Sequence, residues 1–393
     1  MTVTTLTLHN FRNIGEMVFN PCNGVNIIYG DNAQGKTNLI EALWLFTGAK
    51  SFRGAKDAEM IAFGQQHTTL SLSFSAASRD QTAAIKLNTG HGKKKEVLLN
   101  DVPKDSVSAF AGKFCAVVFS PAHLAIVSEG PGERRRFIDT AITQVRPVYD
   151  CLMDDYQKAL AQRNALLRDI PYHSELLDTV ELWDERLAKT GASIMRLRMK
   201  YIKRLNEEAA AIYAGIAGDK EKLKVAYQPN ITLKDPDCAD PRVLHDEILF
   251  ALRTDLKEDI KAGFTTRGIH RDEMDITIDG MPVKLYGSQG QRRSAVLSLK
   301  LAESNLLKEV QGENPVILLD DVMSELDAAR QEYILNHVKD RQVFITCCDS
   351  AVCGCLERGK TFYISNGTIV EGDEDEAIAC PIPTPAKQEN EDA

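Results

Sequence analysis

Short apolar runs separated by Gly, Asn and Asp alternate with polar positions through the first 120 residues. Such runs, bounded by turn residues, predict strands joined by tight turns, and the helical pattern of Asn38–Thr47 predicts a helix among them. The chain therefore opens as an α/β fold. The predicted strands are Thr4–His9, Val25–Tyr29, Thr69–Phe74, Ala83–Leu87, Glu96–Leu99 and Phe114–Phe119.

The pattern becomes helical over residues 134–217. Apolar residues recur there at spacings of three and four, as in Leu152, Tyr156 and Leu160. Pro171 separates two long helical stretches, which predicts an antiparallel helical hairpin or a small bundle. The heptad pattern continues over too few residues for a long coiled coil.

A second α/β stretch begins near Gly263, with a predicted strand at Met274–Ile278, a long helix from Ser288 and an apolar strand at Val316–Leu319. The sequence thus predicts one α/β head domain that is interrupted by a mainly helical arm domain. The predicted bounds are 1–123 and 263–370 for the head, 124–262 for the arm and 371–393 for an acidic, disordered tail.

Between the second predicted strand and its helix lies a sequence of the form G-x-x-x-x-G-K-[ST]. Glycines in such a loop let backbone N–H groups surround phosphates, and the helix N-terminus adds a favourable dipole. Lys36 would contact the β- and γ-phosphates and Thr37 would hold Mg²⁺. The predicted ATP-binding residues are Gly30, Asp31, Asn32, Ala33, Gln34, Gly35, Lys36 and Thr37.

Two carboxylates follow the apolar strand Val316–Leu319. A strand ending in Asp320 would place this carboxylate beside Mg²⁺, and Asp321 could polarise the attacking water. A turn that caps a helix is an equally natural role for such a pair in isolation. Together with the phosphate loop, the pair favours the catalytic interpretation, in which Lys36, Asp320 and Asp321 carry the chemistry.

Ser288 begins the long helix in the second α/β stretch and is a good N-cap residue. In one interpretation it only caps a surface helix. In the other, its hydroxyl, the Gly290 amide and the helix dipole form an anion site for a γ-phosphate. The sequence around Ser288 alone leaves these two interpretations open.

The composition is that of a globular protein: 44% of the 393 residues are hydrophobic and 26% are charged. No apolar run reaches the roughly 18 residues of a membrane helix, and no secretory leader precedes the first strand. Nine cysteines without an export signal indicate reduced thiols and a cytoplasmic protein. A metal site at Cys347, Cys348, Cys353 and Cys355 is disfavoured, because adjacent cysteines fit one tetrahedral site poorly.

The net charge of −9 is unevenly distributed. Residues 371–393 carry eight acidic residues and one lysine, so the remaining chain has a net charge of only −2. Local basic clusters can therefore bind DNA phosphates, although a solvated charged face explains each cluster equally well. Candidate contacts are Lys93, Lys94, Lys95, Arg134, Arg135 and Arg136, and the run Arg196, Arg198, Lys200, Lys203 and Arg204. The arginine triplet could instead form internal ion pairs that hold the arm against the head.

The order of these motifs resembles the head domains of SMC-like ABC ATPases and, more narrowly, the RecF family of bacterial DNA replication and repair proteins. The resemblance rests on the phosphate loop, Tyr286–Gln291, Asp320–Asp321 and Ser324–Asp327. It extends over nearly all of the chain to about residue 372. Further segments that match the RecF family are Leu6–Asn13, Phe119–Pro121, Arg134–Asp139 and Thr265–Asp272.

The resemblance implies ATP and Mg²⁺ as ligands and an ATP-dependent homodimer, in which one subunit's turn at Ser288 contacts the γ-phosphate on the other. It also implies weak, DNA-stimulated ATP hydrolysis and binding to duplex DNA near single-strand gaps. Action with RecR and RecO in loading RecA is implied as well, with no membrane partner. The residues assigned to the contact between subunits are Ser288, Gln289, Gly290, Gln291 and Asp327.

Several positions depart from the family's pattern. Ala122 and His123 stand where the family carries acidic residues, and Ile269 stands where it has proline. Cys347 occupies the position of a γ-phosphate sensor in related ATPases, and a thiol is a poor replacement for a hydroxyl or an imidazole. The role of Cys347 as a sensor is therefore open.

Two other functions compete with this interpretation. A transport-type ABC subunit is disfavoured by the basic helical insertion and the segment Phe119–Pro121. A non-hydrolysing scaffold with a vestigial ATP site is disfavoured because Lys36, Thr37, Asp320 and Asp321 are all intact.

Overall fold

The computed structural model describes residues 1–90, 93–348 and 359–371, with side chains to 369 in the last segment. The strands are β1 (Thr2–Phe11), β2 (Ile14–Phe19), β3 (Val25–Tyr29), β4 (His67–Ala76), β5 (Arg79–Asn88), β6 (Lys95–Leu99), β7 (Val102–Lys104), β8 (Ala116–Phe119), β9 (Leu223–Gln228), β10 (Glu273–Ile278), β11 (Met281–Pro282), β12 (Val316–Asp320), β13 (Val343–Cys347), β14 (Gly359–Ser365) and β15 (Thr368–Glu371). The helices are α1 (Lys36–Leu45), α2 (Ala125–Ser128), α3 (Pro131–Val145), α4 (Val148–Asp169), α5 (Leu177–Ala217), α6 (Pro241–Thr254), α7 (Leu256–Ala262), α8 (Val283–Tyr286), α9 (Gln289–Gln311) and α10 (Ala328–Val338).

The sheet that carries the phosphate loop has the strand order β15-β14-β3-β13-β12-β8. All neighbouring strands in it are parallel except β14 and β15. Strands β3, β12 and β13 are almost wholly buried apolar runs, as expected for parallel strands covered on both faces. The carboxyl ends of β3 and β12 therefore reach the same edge of the sheet, where α/β proteins bind ligands.

A second, antiparallel sheet has the order β2-β1-β4-β5-β6-β7. Its strands alternate between buried and exposed positions, so one face is apolar and the other polar. Leu6, Leu70 and Ile85 on the apolar face share a core with Leu39 and Leu43 of α1. This layer holds the helix behind the phosphate loop.

The arm is built around α5, a helix of 41 residues. It packs against α4, α6 and α9. Because Arg163 contacts Asp184 and Tyr149 contacts Arg198, α4 and α5 form the antiparallel hairpin that was predicted around Pro171. The apolar side of α5 is buried among these helices along almost its whole length.

Sheet membership moves the predicted boundary between arm and head. Strand β9 lies in the arm, yet it pairs with β10 and β11, which follow the predicted boundary at residue 263. The three strands form one small sheet. By this criterion the arm extends to Pro282, and the head resumes with the elements that lead into α9.

Most predicted elements of the head are confirmed. Strand β3 has the predicted limits, and β12 and α9 begin within a residue of their predicted starts. Strands β2 and β9 were not predicted. The cysteines Cys353 and Cys355, and the acidic tail beyond Glu371, lie outside the described residues. Within the described part of the chain, no helix is long and apolar enough to cross a membrane.

A buried cluster of charges ties the arm helices together. The Arg163 guanidinium donates to Asp184 at 2.5 Å, to Asp259 at 2.6 Å and to Thr265 at 2.9 Å. Arg163 and Asp259 are completely buried, and Asp184 is 2% exposed. Removal of one member leaves its partners charged and buried, which is costly.

We predict that Arg163→Met lowers the free energy of unfolding of the arm by about 3–5 kcal/mol, because two buried carboxylates lose their cation. Urea unfolding followed by the fluorescence of Trp183, in a Trp44→Phe background, measures this loss. Lys158→Ala, an exposed change on the same helix, is the control and should be nearly neutral. Equal stability of the two variants would contradict the prediction.

Candidate active site

The loop between β3 and α1 is shaped by backbone conformations that favour glycine. Gly30 has a φ of 147°, and a Cβ there would lie 2.3 Å from the carbonyl oxygen of Ile364. Gly35 has a φ of 115° and also adopts a left-handed conformation. The Gly367 amide donates to the Gln34 carbonyl at 3.0 Å, so the β14–β15 turn supports the loop from outside.

Lys36 lies at the start of α1 and is largely buried. Its ammonium group donates to the carbonyl oxygens of Gly30 at 2.6 Å and Asp31 at 2.8 Å. The Lys36 side chain therefore connects the end of the loop between β3 and α1 to its beginning. A cation at a helix N-terminus, surrounded by backbone N–H groups, creates a site for an anion with several charged oxygens.

Thr37 and Asp320 meet directly, although they are 283 positions apart in the sequence. The Thr37 hydroxyl donates to Asp320 Oδ1 at 2.8 Å, and the Thr346 hydroxyl donates to the same oxygen at 3.0 Å. Burial raises the pKa of the Asp320 carboxyl, against the effect of these two hydrogen bonds, and the nearby Asp321 carboxylate adds to the rise. The site thus brings together the end of β12 and the start of α1.

These groups fit a magnesium ion that is bound together with a nucleotide. The Thr37 hydroxyl and the Asp320 carboxylate are oxygen ligands, which Mg²⁺ prefers, and phosphate oxygens and water commonly complete its coordination. Lowering of the Asp320 pKa by such a cation would offset the effect of burial. Within the described residues, no cluster of three or more His, Cys, Asp or Glu could hold a metal by itself.

Asp321 is held in an unusual conformation directly after the strand. Its φ is 52°, in the left-handed region, and its backbone N–H donates to the Thr346 hydroxyl at 2.9 Å. The Ser324 hydroxyl contacts both the Asp321 carbonyl oxygen and its carboxylate. Asp320 and Asp321 therefore have separate surroundings: Asp320 is buried beside Thr37, and Asp321 lies in the turn after the strand.

A group of charged residues behind the first turn of α1 was not predicted from the sequence. The fully buried Glu41 accepts two hydrogen bonds from Arg12, at 2.9 and 3.0 Å, and one from Ser51. Arg53 lies 3.7 Å from the same carboxylate and donates to Asn38, next to Thr37. The residues that contact Glu41 come from separate segments, so the sequence does not predict the group. The available signal was that Asn38 and Glu41 lie on the same helix as Thr37.

The predicted turn Ser288–Gln291, which we call the signature turn, opens α9, the signature helix, and is well ordered by its own hydrogen bonds. The Ser288 hydroxyl accepts from the Gln291 amide at 3.2 Å, and the Gln291 side chain accepts from the Ser288 amide at 2.8 Å. Gln291 also donates to Glu221 at 2.9 Å. Ser288 and Gln289 are exposed, and Gly290 is half-buried. Within the described residues, no hydrogen bond or ion pair joins this turn to the phosphate loop of the same chain.

Asp327 begins α10 on the surface near α9. Its carboxylate accepts from the Arg330 amide at 2.9 Å and pairs with the Arg330 side chain. The hydrogen bond from this amide lowers the pKa of Asp327. Arg330 also donates to Ser294 of α9 at 2.9 Å, so Asp327 and the signature helix are positioned relative to each other.

The two cysteines at the end of β13 lie in different environments. Cys347 is buried in the apolar core, whereas Cys348 is exposed and its thiol is 3.1 Å from Asn32 of the phosphate loop. The hydroxyl on β13 that contacts Asp320 belongs to Thr346, one residue before the predicted sensor position. The sequence signal for this contact was the hydroxyl residue Thr346 near the end of an apolar strand.

The arginine triplet on α3 is mostly engaged within the protein. Arg134 is buried and donates to both oxygens of Glu273, at 2.6 and 2.7 Å. Arg135 donates to the Asp272 carbonyl at 2.6 Å, and the exposed Arg136 pairs with Glu133. The prediction of Arg134 as a DNA contact is therefore corrected: its guanidinium has no face left for a phosphate, and it joins α3 to β10.

The other basic clusters also contain both exposed residues and residues paired with carboxylates. Lys93 and Lys94 are exposed, while Lys95 is half-buried and lies 3.0 Å from Asp57. In the arm, Arg198 is 1% exposed and binds Asp139 and Asp272. Arg198 is thus also corrected from a candidate DNA contact to a structural residue.

Comparisons with known proteins show the family to which the chain belongs. Residues 2–368 match the family model described as RecF/RecN/SMC N terminal domain. Smc head structures that are 14% identical cover about 95% of the chain with TM-scores of 0.53 and 0.55, which supports a shared fold. The chain therefore belongs to the RecF/RecN/SMC class, whose fold joins a phosphate-loop sheet to a helical arm.

The particular family is RecF. The chain is 38% identical to the DNA replication and repair protein RecF of Acetivibrio thermocellus, over 93% of this chain and 98% of that protein. It is 39% identical to the RecF of Ruminiclostridium cellulolyticum, over 94% and 99% of the two chains. Two solved structures of the recombination mediator protein RecF, described with ATPrS and with ATP, are each 34% identical with a TM-score of 0.88, and the match covers 94–95% of this chain and 98% of theirs. The chain is a member of the RecF family.

We predict that Gly30→Ala abolishes nucleotide binding at this site, because the added Cβ would overlap the Ile364 carbonyl and the backbone would be strained. Titration with a fluorescent ATP analogue should show affinity reduced at least tenfold. The control is Gly15→Ala, where a Cβ meets open space and the backbone is unstrained. The prediction fails if both variants bind the analogue as tightly as the wild type.

Proposed function

We propose that this protein is an ATP-dependent DNA-binding protein of DNA replication and recombinational repair, with weak ATPase activity. The observation that carries the proposal is the hydrogen bond between Thr37 and Asp320, because it joins the phosphate loop to the carboxylate that would complete a Mg²⁺–ATP site. Family membership and the RecF structures described with ATP support ATP as the nucleotide.

The roles of the site residues follow from their surroundings. Lys36 binds the β- and γ-phosphates after it exchanges its loop carbonyls for phosphate oxygens. Thr37 and Asp320 would hold Mg²⁺, which would neutralise charge on the phosphates. Asp321 orients the attacking water and accepts its proton, while Thr346 fixes the turn in which Asp321 lies. One carboxylate is thus reserved for the metal and the other for water.

Each protein chain supplies half of a composite site. Ser288, Gln289, Gly290 and Gln291 bind the γ-phosphate held by a second copy, with Asp327 near that copy's phosphate loop. The exposure of Ser288 and Gln289, and their lack of contact with their own loop in the described residues, support this role. Binding of ATP closes the homodimer and hydrolysis reopens it.

The dimer closes on duplex DNA near single-strand gaps. The exposed Lys93, Lys94 and Arg136 remain candidate phosphate contacts on the head and α3. The protein acts in the cytoplasm with RecR and RecO to help load RecA. The description of related structures as recombination mediators in the RecFOR pathway supports this placement.

A gel-shift comparison of duplex, single-stranded and gapped duplex DNA, with and without ATP, tests the function. Wild-type protein should bind duplex and gapped DNA more tightly when ATP is present. Lys36→Ala should remove this ATP dependence, whereas the exposed change Lys50→Ala should preserve it. The same affinity for DNA with and without ATP in the wild type would refute the proposal.

A second prediction concerns the composite site. Ser288→Arg should abolish the ATP-dependent doubling of mass in light scattering and leave ATP binding intact, because the arginine blocks contact with the partner's nucleotide. Ser174→Arg, an exposed change in the loop between α4 and α5, should still dimerise. A Ser288→Arg protein that dimerises normally would rule out the proposed dimer contact.

A further inference from the structure

The outward face of α5 carries one sign of charge over five helical turns. From Arg186 to Asn206 the sequence contains no Asp or Glu, although the helix is acidic before and after this stretch. The apolar residues of the stretch lie on the opposite, buried side. The basic residues of the outward face are Arg186, Lys189, Arg196, Lys200, Lys203 and Arg204, and we call the central four, Lys189, Arg196, Lys200 and Lys203, the α5 stripe.

The side chains of the four stripe residues are exposed. In residues 1–90, 93–348 and 359–371, no carboxylate lies within ion-pair distance of any of the four. Arg204, just beyond the stripe, pairs with Glu309, and Arg198 points inward. Exposed carboxylates at helical spacing flank the stripe at its two ends, with Glu185 four residues before Lys189 and Glu207 four residues after Lys203, and none lies between them.

The dimensions of the stripe fit a nucleic-acid backbone. Lys189 and Lys203 are 14 residues apart on a continuous helix, which corresponds to about 21 Å. Duplex DNA carries one negative charge per about 1.7 Å of its axis, so a duplex that lies along the stripe presents about twelve phosphate charges over this length. The four cations lie on one straight face, because their spacings of seven, four and three residues match the helical repeat.

The composition of the face favours a duplex over other polyanionic partners. Proteins that bind single strands stack bases on aromatic side chains, and Tyr201, the aromatic residue within this part of α5, is buried. Helices that bind membranes insert an apolar face into lipid, and the apolar face of α5 is covered by α4, α6 and α9. Lysine and arginine side chains on a continuous helix suit contacts with the phosphates of a duplex.

We propose that duplex DNA docks along the α5 stripe through backbone contacts without reading base sequence. This inference rests on the proposed DNA-binding function and assigns it a surface that includes Lys189, which the sequence did not single out. The same helix continues to α9, where Glu208 accepts from Asn305, and Glu221, in the segment after α5 ends at Ala217, accepts from Gln291 of the signature turn. DNA on the stripe therefore lies on the element that packs against the signature helix.

The test compares two variants that lose equal charge. The stripe variant is Lys189→Gln, Arg196→Gln, Lys200→Gln and Lys203→Gln, which keeps good helix-forming residues. The control variant removes four exposed lysines elsewhere, with Lys113→Gln, Lys257→Gln, Lys261→Gln and Lys339→Gln. Duplex binding is measured with ATP at several salt concentrations, and single-stranded binding and ATP affinity are measured in parallel.

If all four side chains contact phosphates, the slope of log K against log salt becomes shallower by about 3–4 in the stripe variant, at about 0.9 per contact. Duplex affinity at low salt should fall at least tenfold, with ATP affinity and the control variant unchanged. Wild-type-like duplex binding by the stripe variant overturns the α5 surface and leaves DNA binding elsewhere intact. A larger loss for single strands than for duplex overturns the choice of duplex. Absence of duplex binding by the wild type overturns the proposed function as well.

Discussion

The site depends on one contact between the two ends of the chain, the hydrogen bond from Thr37 to Asp320. It forms because β3, from the N-terminal part, is inserted between β13 and β14, from the C-terminal part. Buried parallel strands bring their carboxyl ends to one edge, so the phosphate loop and the two carboxylates must converge there. Thr346, at the end of the strand between them, then links both aspartates by one hydroxyl.

The arm is held together by buried charges as well as by apolar packing. Arg134 connects α3 to β10, and Arg198 connects α5 to Asp139 and Asp272. Such pairs require defined geometry, because a displaced partner would leave a charge buried alone. The position of α5 within the arm is therefore specified closely, and its direct packing against α9 sets its outward face relative to the signature helix.

Much of the fold could be predicted from local sequence. Strands β3 and β12 are apolar runs followed by chemically distinctive residues, and Ser288 is a strong N-cap before an unbroken helical pattern. Strand pairing over long distances could not be predicted in this way. Strand β9 was missed, and the predicted arm boundary divides its sheet, because its partner β10 lies about 50 residues further along the chain.

Long-range contacts also limit how much of the site could be predicted from the sequence. The sequence reveals that Arg134 and Arg198 are charged, but whether they face DNA or a carboxylate depends on partners that are distant in sequence, such as Glu273. Glu41 was overlooked because its importance comes from Arg12 and Ser51, which reach it from separate segments. The helical periodicity distinguishes some structural arginines from exposed ones, because Arg198 lies on the apolar side of α5 and Arg196 on the opposite side.

The position of β3 also has a consequence for protein synthesis. Asn26 of β3 bonds to Val343 of β13, 317 positions later, and Gly30 rests against Ile364 of β14. On the ribosome, β3 emerges early with both edges unpaired and remains so until nearly the whole chain has been made. An unfinished chain has its Lys36 but lacks the strands that shape the loop around it. The edge of the sheet that carries Lys36 and Asp320 is therefore assembled only after β12, β13 and β14 have been made.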